Sequence, residues 1–441
     1  MRLLLPRRRG GAGLSRLSAQ SARPGAFAAL LALALALALL LSCGCGDTHR
    51  AQRAAVSSRA GVGTLDFGLT EENANLLWSP AVTGRRRFQR AREQLSALHP
   101  AYVRLLIDWA ALQPLASRPP ALDARASGCA RVIAPCAAYA GVREELAAIA
   151  TQQRSEPGFQ VVIVIFGTPT WAARSPSGCE RGSRGAFSRA PSAAGLGAYR
   201  ALIHALSALG AREGVPLQWW APWNEPNDPT FLAPQRASCL SGASPRSAGA
   251  YAELVRAMAA QLGVEGGQRH IVLGELNAYA NGSPQRLSPA EFLAALPSDV
   301  ACLGSVWSVH AYAARGRFAT SGDPVAVLEH ALMRGGECAR AAPIWVTEAG
   351  AGAPHPGDPR GPAGPDEIAG CEALATQLLA WERDARVSAV FQYTFRDDPA
   401  FPVGLINPAL SHIYPAYRLW LSLAEARAGA RAPMPLASAC R

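Results

Sequence analysis

The 441-residue sequence predicts an α/β fold, a (β/α)8 or TIM barrel forming a single catalytic domain, and three observations carry that expectation. Eight short apolar runs alternate with eight segments of helical period, and repeated βα alternation means a parallel sheet. The third run, QVVIVIF at 160–166, is continuous in β-branched residues, as strands covered on both faces are. Units of this size fit a closed barrel with long loops on its C-terminal face better than an open doubly wound sheet. No GxGxxG follows the first strand, which weighs against a dinucleotide site.

The elements follow in order. The first strand is the short apolar run at 65–69, and a charged helical segment at 83–98 comes next. YVRLLI at 102–107 is the second strand; beyond a Pro- and Ala-rich loop a helix covers 142–153. The third strand leads through a polar loop to a helix at 194–212, and the fourth, at 217–222, is Trp-rich and closed by Pro222. A long loop precedes a helix at 247–262 and a strand at 270–274. Ser288-Pro289-Ala290-Glu291 is a capping box with Pro at the first helical position, and opens a short helix. The strand at 304–309 precedes a helix that Asp323-Pro324 opens and that runs to 333. After the strand at 344–346, a helix at 366–381 carries Cys371, Leu374, Leu378 and Trp381 on one face. A strand at 388–393 and a helix at 416–426 complete a domain expected to span 64–428, with a tail at 429–441.

Apolar residues make up 49% of the chain and charged residues 17%, which argues for a folded core rather than disorder. The formal charge of +11 is concentrated at the start. Residues 1–63 hold nine Arg and one Asp, leaving 34 basic against 31 acidic residues elsewhere. The folded part is nearly neutral, so no nucleic-acid partner is expected. Residues 1–43 read as a signal segment, with an Arg-rich start and an almost pure Ala/Leu run at 26–41. Leu40-Leu41-Ser42-Cys43 resembles a bacterial lipoprotein cleavage box, in which Cys43 would be lipidated; ordinary secretory cleavage and an uncleaved anchor are the alternatives. Residues 44–63 read as a flexible linker. The body of the protein is expected outside the cytoplasm, extracellular or in the cell envelope, touching a membrane only through that lipid or signal anchor.

Beyond Cys43 and Cys45 there are eight cysteines, an even number in an exported chain, which suggests disulfides. No CxxC occurs, and no His stands near them at zinc-ligand spacing, so no metal site is expected. On a barrel, Cys179 and Cys239 share one rim and Cys302 and Cys338 the other, so both pairs are within reach. Cys129–Cys136 would close a small loop, and Cys371–Cys440 would pin the tail.

Two apolar runs end in glutamate: LQWWAPWNEPN at 217–227, with Glu225, and PIWVTEAG at 343–350, with Glu348. Barrel enzymes project their catalytic groups from the C-terminal ends of strands, which places both carboxylates on one rim. Glycosidic hydrolysis needs such a pair, one acid to protonate the departing oxygen and one carboxylate to attack or to activate water.

Residues 223–227, WNEPN, resemble the fourth-strand motif of the clan A glycoside hydrolases, and Thr347-Glu348 resembles their seventh-strand motif. That resemblance covers residues 64–425 and is nearest to families 39 and 5. It implies that Glu225 is the acid/base, that Glu348 is the nucleophile and that Asn224 contacts the sugar 2-hydroxyl. VRLLIDW at 103–109 is similar to the second-strand segment whose Arg, here Arg104, lies near the nucleophile. Thr168-Pro169-Thr170-Trp171 follows strand three as a Pro-x-Trp does in some of these families, and Ser308-Val309-His310-Ala311-Tyr312 looks like the sixth-strand His-x-Tyr. Where the family has a Trp on strand eight, this chain offers Tyr393 or Phe395.

Bland roles compete for several of these residues. Arg104 could neutralise Asp108; His310 could be a core histidine; Trp171 could stack on a sugar or plug the barrel top. Trp219 and Trp220 read as core. Glu275 could be a third carboxylate or a loop salt bridge, and the loop is favoured. The expected function is an exported retaining glycoside hydrolase acting on O-glycosidic, β-configured bonds of an oligosaccharide or polysaccharide, with no metal or organic cofactor. A non-catalytic carbohydrate-binding lipoprotein on the same barrel and a transglycosylase are the alternatives.

Overall fold

In the computed structural model the barrel closes with all strands parallel and in chain order, β1 pairing with β8. The strands are β1 (Asp66–Glu71), β2 (Tyr102–Asp108), β3 (Gln160–Phe166), β4 (Trp219–Ala221), β5 (His270–Asn277), β6 (Val306–His310), β7 (Ile344–Ala349) and β8 (Val387–Tyr393). The helices are α1 (Arg86–Ser96), α2 (Trp109–Leu112), α3 (Val142–Ser155), α4 (Ala193–Glu213), α5 (Ser247–Glu265), α6 (Pro289–Ala295), α7 (Pro324–Met333), α8 (Glu337–Ala341), α9 (Pro365–Arg383), α10 (Pro415–Arg427) and α11 (Leu436–Ala439). The structure describes residues 65–71, 86–123, 141–155, 159–240, 242–279, 285–313, 322–352, 360–361, 364–398, 401–427 and 436–441. The signal segment, the linker, Cys43, Cys129 and Cys136 lie outside them.

Strand alternation builds two cores. Along β2 and β3 the residues Val103, Leu105, Ile107, Val161, Ile163 and Ile165 pack outward into one large apolar cluster shared with the helices. The alternate residues point into the barrel. There Tyr102, Trp219, Trp345 and Phe391 tile a floor, with ring centroids 4.4 Å apart for Trp219–Trp345 and 4.9 Å for Tyr102–Trp345. Gly68 has to lack a side chain, because a Cβ would stand 2.3 Å from the Phe391 ring. Arg104, two residues beyond Tyr102 on the same face, therefore sits above an aromatic floor. Each ring in that floor contributes about 1.5–3 kcal/mol by leaving water.

Helix ends follow the local chemistry. Ser192 caps α4 by accepting from Gly195 N, and Gly214 closes it in the left-handed region at φ 73°. The Ser288/Glu291 capping box forms at α6, and Asp323 caps α7 ahead of Pro324. Helix α9 buries Cys371, Leu374, Leu378 and Trp381, as their spacing predicts.

Three strands differ from expectation in ways that matter for the site. Strand β4 is only three residues long, since Pro222 has no N–H to continue the ladder. Strand β5 continues through Gly274 to Asn277, with a bulge between Leu273 and Leu276 that lets pairing resume. Strand β7 runs to Ala349, so Glu348 lies within a strand and not in the loop beyond it. The end of the chain carries α11, and Cys440 is buried.

Disulfides join Cys179 to Cys239, Cys302 to Cys338 and Cys371 to Cys440. Among the described residues no helix is long and apolar enough to cross a membrane.

Candidate active site

Arg104 is the hub of the barrel mouth. It is fully buried, so each of its donors needs a partner. Its Nε donates to Glu275 Oε2 at 2.9 Å, and its Nη2 also bonds that oxygen. Nη2 reaches Asn224 Oδ1 at 2.7 Å, and Nη1 reaches Glu348 Oε1 at 2.8 Å. One guanidinium thus ties together β2, β5, β7 and the residues after β4. Asp108 is not its partner: that carboxylate caps α2, accepting from Ala111 N at 2.9 Å.

Glu225 stands four residues past β4. Tyr199 anchors that exit by donating to the Pro222 carbonyl at 2.7 Å, and the buried Trp223 indole donates to Phe231 O at 2.8 Å. The glutamate has φ 39°, in the left-handed region where a side chain costs about 1–3 kcal/mol. Its N–H donates to the Glu275 carbonyl at 3.0 Å. Its Oε1 lies 2.9 Å from His310 Nδ1, and Asn277 Nδ2 donates to its Oε2 at 3.2 Å. Burial raises its proton affinity, as do the charges of Glu348 and Asp228, while the His310 bond pulls the other way.

Glu348 accepts from Arg104 through Oε1 and from the Tyr312 hydroxyl through Oε2. His310 Nδ1 lies 3.4 Å from that same Oε2, so the histidine sits between the two glutamates. Ligand-type atoms of Glu225, His310 and Glu348 all fall within 4.8 Å of one another, so the two carboxylates approach at least that closely. Burial opposes a charge on His310, but Glu348, Glu225 and Glu275 outweigh it and lift the imidazole to about 9. A protonated imidazole with Arg104 beside it offsets the negative charge of this acidic space.

Glu275 is the residue the sequence reading placed wrongly. It is not in a loop: it lies in β5, fully buried, at φ 52°. Gly274 before it has φ 98°, and a Cβ there would sit 2.4 Å from the Ser308 carbonyl, so only glycine allows the bulge that turns Glu275 inward. Burial pushes its carboxyl up, but Arg104 and His310 outweigh that and hold it at about 2. The signal was available: a glycine inside a strand pattern marks a bulge or a close backbone approach. Asn277 and Tyr279 were also unforeseen. Tyr279 accepts from Tyr312 N at 2.6 Å and donates to its carbonyl at 3.2 Å.

The other expected residues divide. Tyr312 and Tyr393 lie edge-on with centroids 6.4 Å apart, and both contact Phe401. Tyr393 therefore belongs to the aromatic wall beside Glu348, whereas Phe395 is in the outer core. Asn224 is in the cluster, bound to Arg104. Trp171 packs elsewhere: its indole donates to the Gln113 carbonyl at 2.9 Å and its ring meets Trp109 edge-on at 6.1 Å. Trp219 and Trp220 are buried as core.

No protein-family model matches the sequence, and no curated protein matches it. Solved structures do match. An exo-β-1,4-mannosidase from Opitutaceae bacterium strain TAV5 is 15% identical over 84% of this chain, with a TM-score of 0.51. A family 39 β-xylosidase from Caulobacter crescentus is 15% identical over 83%, at 0.52. A family 5 subfamily 18 glycoside hydrolase from Streptomyces cattleya, solved with GlcNAc, is 16% identical over 85%, at 0.50. This chain spans 61%, 72% and 83% of those three. The likeness is one of fold, the (β/α)8 barrel, and the xylosidase and the Streptomyces cattleya enzyme carry the names of the two families, 39 and 5, that the strand-end motifs resemble.

Proposed function

We propose that this chain is an exported retaining glycosidase that cleaves β-configured O-glycosidic bonds of an oligosaccharide or polysaccharide. One observation carries the reading: Glu225 and Glu348 face each other across His310 Nδ1, at 2.9 and 3.4 Å, with their nearest oxygens within 4.8 Å. Retaining glycosidases hold their carboxyls about 5–5.5 Å apart and inverting ones about 6.5–9.5 Å. The close approach supports double displacement, because no water fits between sugar and base at that spacing.

Glu348 attacks the anomeric carbon as the bond to the leaving oxygen breaks. Arg104 and the Tyr312 hydroxyl hold its two oxygens in place. Glu225, whose raised proton affinity suits an acid, delivers its proton to the departing oxygen. It then takes a proton from water, whose oxygen forms the new bond to the anomeric carbon as Glu348 leaves. Export is supported by the Arg-rich, Ala/Leu leader and by three disulfides, which persist in oxidising compartments.

The test is a screen of aryl β-glycosides, following the released anomer by NMR, with azide added to Glu225→Ala and Glu348→Ala. Retention in wild type is expected, with a β-glycosyl azide from the first variant and an α-glycosyl azide from the second. Inversion in wild type, or polysaccharides bound but uncut by the folded protein, would overturn the reading; the latter would point to the carbohydrate-binding alternative.

A further inference from the structure

We propose that Glu275 is a positioning residue of this site: its carboxylate orients Arg104 and His310, the two basic side chains that touch Glu348 and Glu225, and so sets Glu225 up as the acid. The inference rests on the glycosidase reading for the role of Glu225.

Glu275 cannot meet a substrate, because its oxygens are occupied. Oε2 accepts from Arg104 Nε at 2.9 Å and lies 3.2 Å from His310 Nε2, while Oε1 accepts from Ser308 Oγ at 3.0 Å. Its carbonyl accepts from Glu225 N–H, so main chain and side chain both hold the acid's surroundings. His310 is thereby a bridge, with Nδ1 on Glu225 and Nε2 on Glu275. A carboxylate on Nε2 keeps both ring nitrogens as donors, which directs Nδ1–H at Glu225 Oε1.

The charges close only with Glu275 included. The groups facing this space are Arg104 from β2, Glu225 beyond β4, Glu275 from β5, His310 and Tyr312 from β6 and its exit, and Glu348 from β7. Tyr251 of α5 and Thr347 border Glu275; near Glu225 stand Tyr279 and Asp228, the latter a separate pair with Arg286 at 3.0 Å. Three carboxylates meet two cations, so the set is neutral when Glu225 carries its proton. Without the Glu275 charge, the neutral state has either Glu225 ionised, and so unable to act as the acid, or His310 uncharged, and so left with one N–H donor where two carboxyl groups face it.

Glu275→Gln isolates the charge from the shape. The amide oxygen can take the place of Oε2, and the amide NH2 can donate to Ser308 Oγ. The protein is labelled with 15N-histidine, and the His310 signal is assigned by its loss in His310→Gln. In wild type His310 titrates well above 6.5, and in Glu275→Gln its midpoint falls by about one to three pH units. In turnover, aryl glycosides with poor leaving groups slow by more than about ten-fold, while those whose leaving group needs no proton slow far less. An unmoved His310 midpoint, or equal slowing of both substrate classes, overturns the proposal. Wild type alone also decides: a His310 midpoint at or below 6.5 overturns it even if the variant does not fold. A wild type that turns over no glycoside would sink the function reading and still leave the titration readable.

Discussion

Glu225 and Glu275 are joined through their backbones: the N–H of Glu225 donates to the carbonyl of Glu275 at 3.0 Å, and both residues hold positive φ, 39° and 52°. Two unfavourable backbones in contact persist because the surrounding structure over-determines them. The glycine before Glu275 is what makes its turn possible. Gly274→Ala is expected to destabilise the protein by about 2–4 kcal/mol, from a Cβ driven into the Ser308 carbonyl at positive φ. Urea unfolding measures it; a change below about 0.5 kcal/mol, the range of an ordinary surface substitution, would mean that the bulge is not needed.

Stability depends on pH with opposite signs on the two flanks. Glu275 is held at about 2, below its ordinary 4.5, so its contribution is present above pH 4.5 and lost as pH falls toward 2. His310 is lifted to about 9 from 6.5, so its contribution is complete below pH 6.5 and lost as pH rises toward 9. Glu225 is raised, so it favours folding in its protonated form below its ordinary 4.5 and contributes less above that. Urea midpoints are therefore expected to peak between pH 4.5 and 6.5. Glu275→Gln flattens the acid flank and His310→Gln the alkaline flank. Stability that keeps rising above pH 6.5 would contradict the assignment.

Tyr312 bonds Glu348 through its hydroxyl, while its ring is held separately by Phe401 and Tyr393. Tyr312→Phe therefore removes one charge-assisted hydrogen bond and leaves the packing. A fall of about 10- to 100-fold in kcat/KM is expected, with the thermal midpoint nearly unchanged. Unchanged turnover would mean that Arg104 alone positions Glu348.

Trp171 separates a sugar platform from a structural ring. Its indole bond to Gln113 and its edge contact with Trp109 assign it to packing. Trp171→Ala is expected to cost about 2–3 kcal/mol of stability, less than a fully buried ring would. KM should change by less than about two-fold. A large rise in KM with unchanged stability would return Trp171 to the substrate.

What could be read without the fold was whatever local chemistry repeats or punctuates. Strand and helix periods carried the barrel, since each unit has to bury one face and the alternation leaves few other ways to do it. Two cysteine pairs, Cys179–Cys239 and Cys302–Cys338, followed from strand adjacency, and Cys371–Cys440 from what was left to hold the tail. Glu225 and Glu348 were legible because strand ends in a barrel share one rim, so a glutamate beside an abrupt stop announces its own position.

Other features needed three dimensions. Glu275 looked like loop because its strand seemed to end at Gly274; the ladder resumes beyond the bulge only because β6 lies alongside to accept it. Asp108 was a plausible partner for Arg104 by proximity in sequence, but four residues along a strand separate charges that a barrel instead brings together from opposite walls. Trp171 carried a motif, yet its neighbours Trp109 and Gln113 arrive from another βα unit and claim it for packing. The sequence by itself determined the order of units and the strand-end carboxylates, because those depend on local period, and it put two cysteine pairs within reach through strand adjacency. The tertiary structure alone decided which charges meet, because a closed barrel converges side chains from strands up to 244 residues apart onto one buried guanidinium.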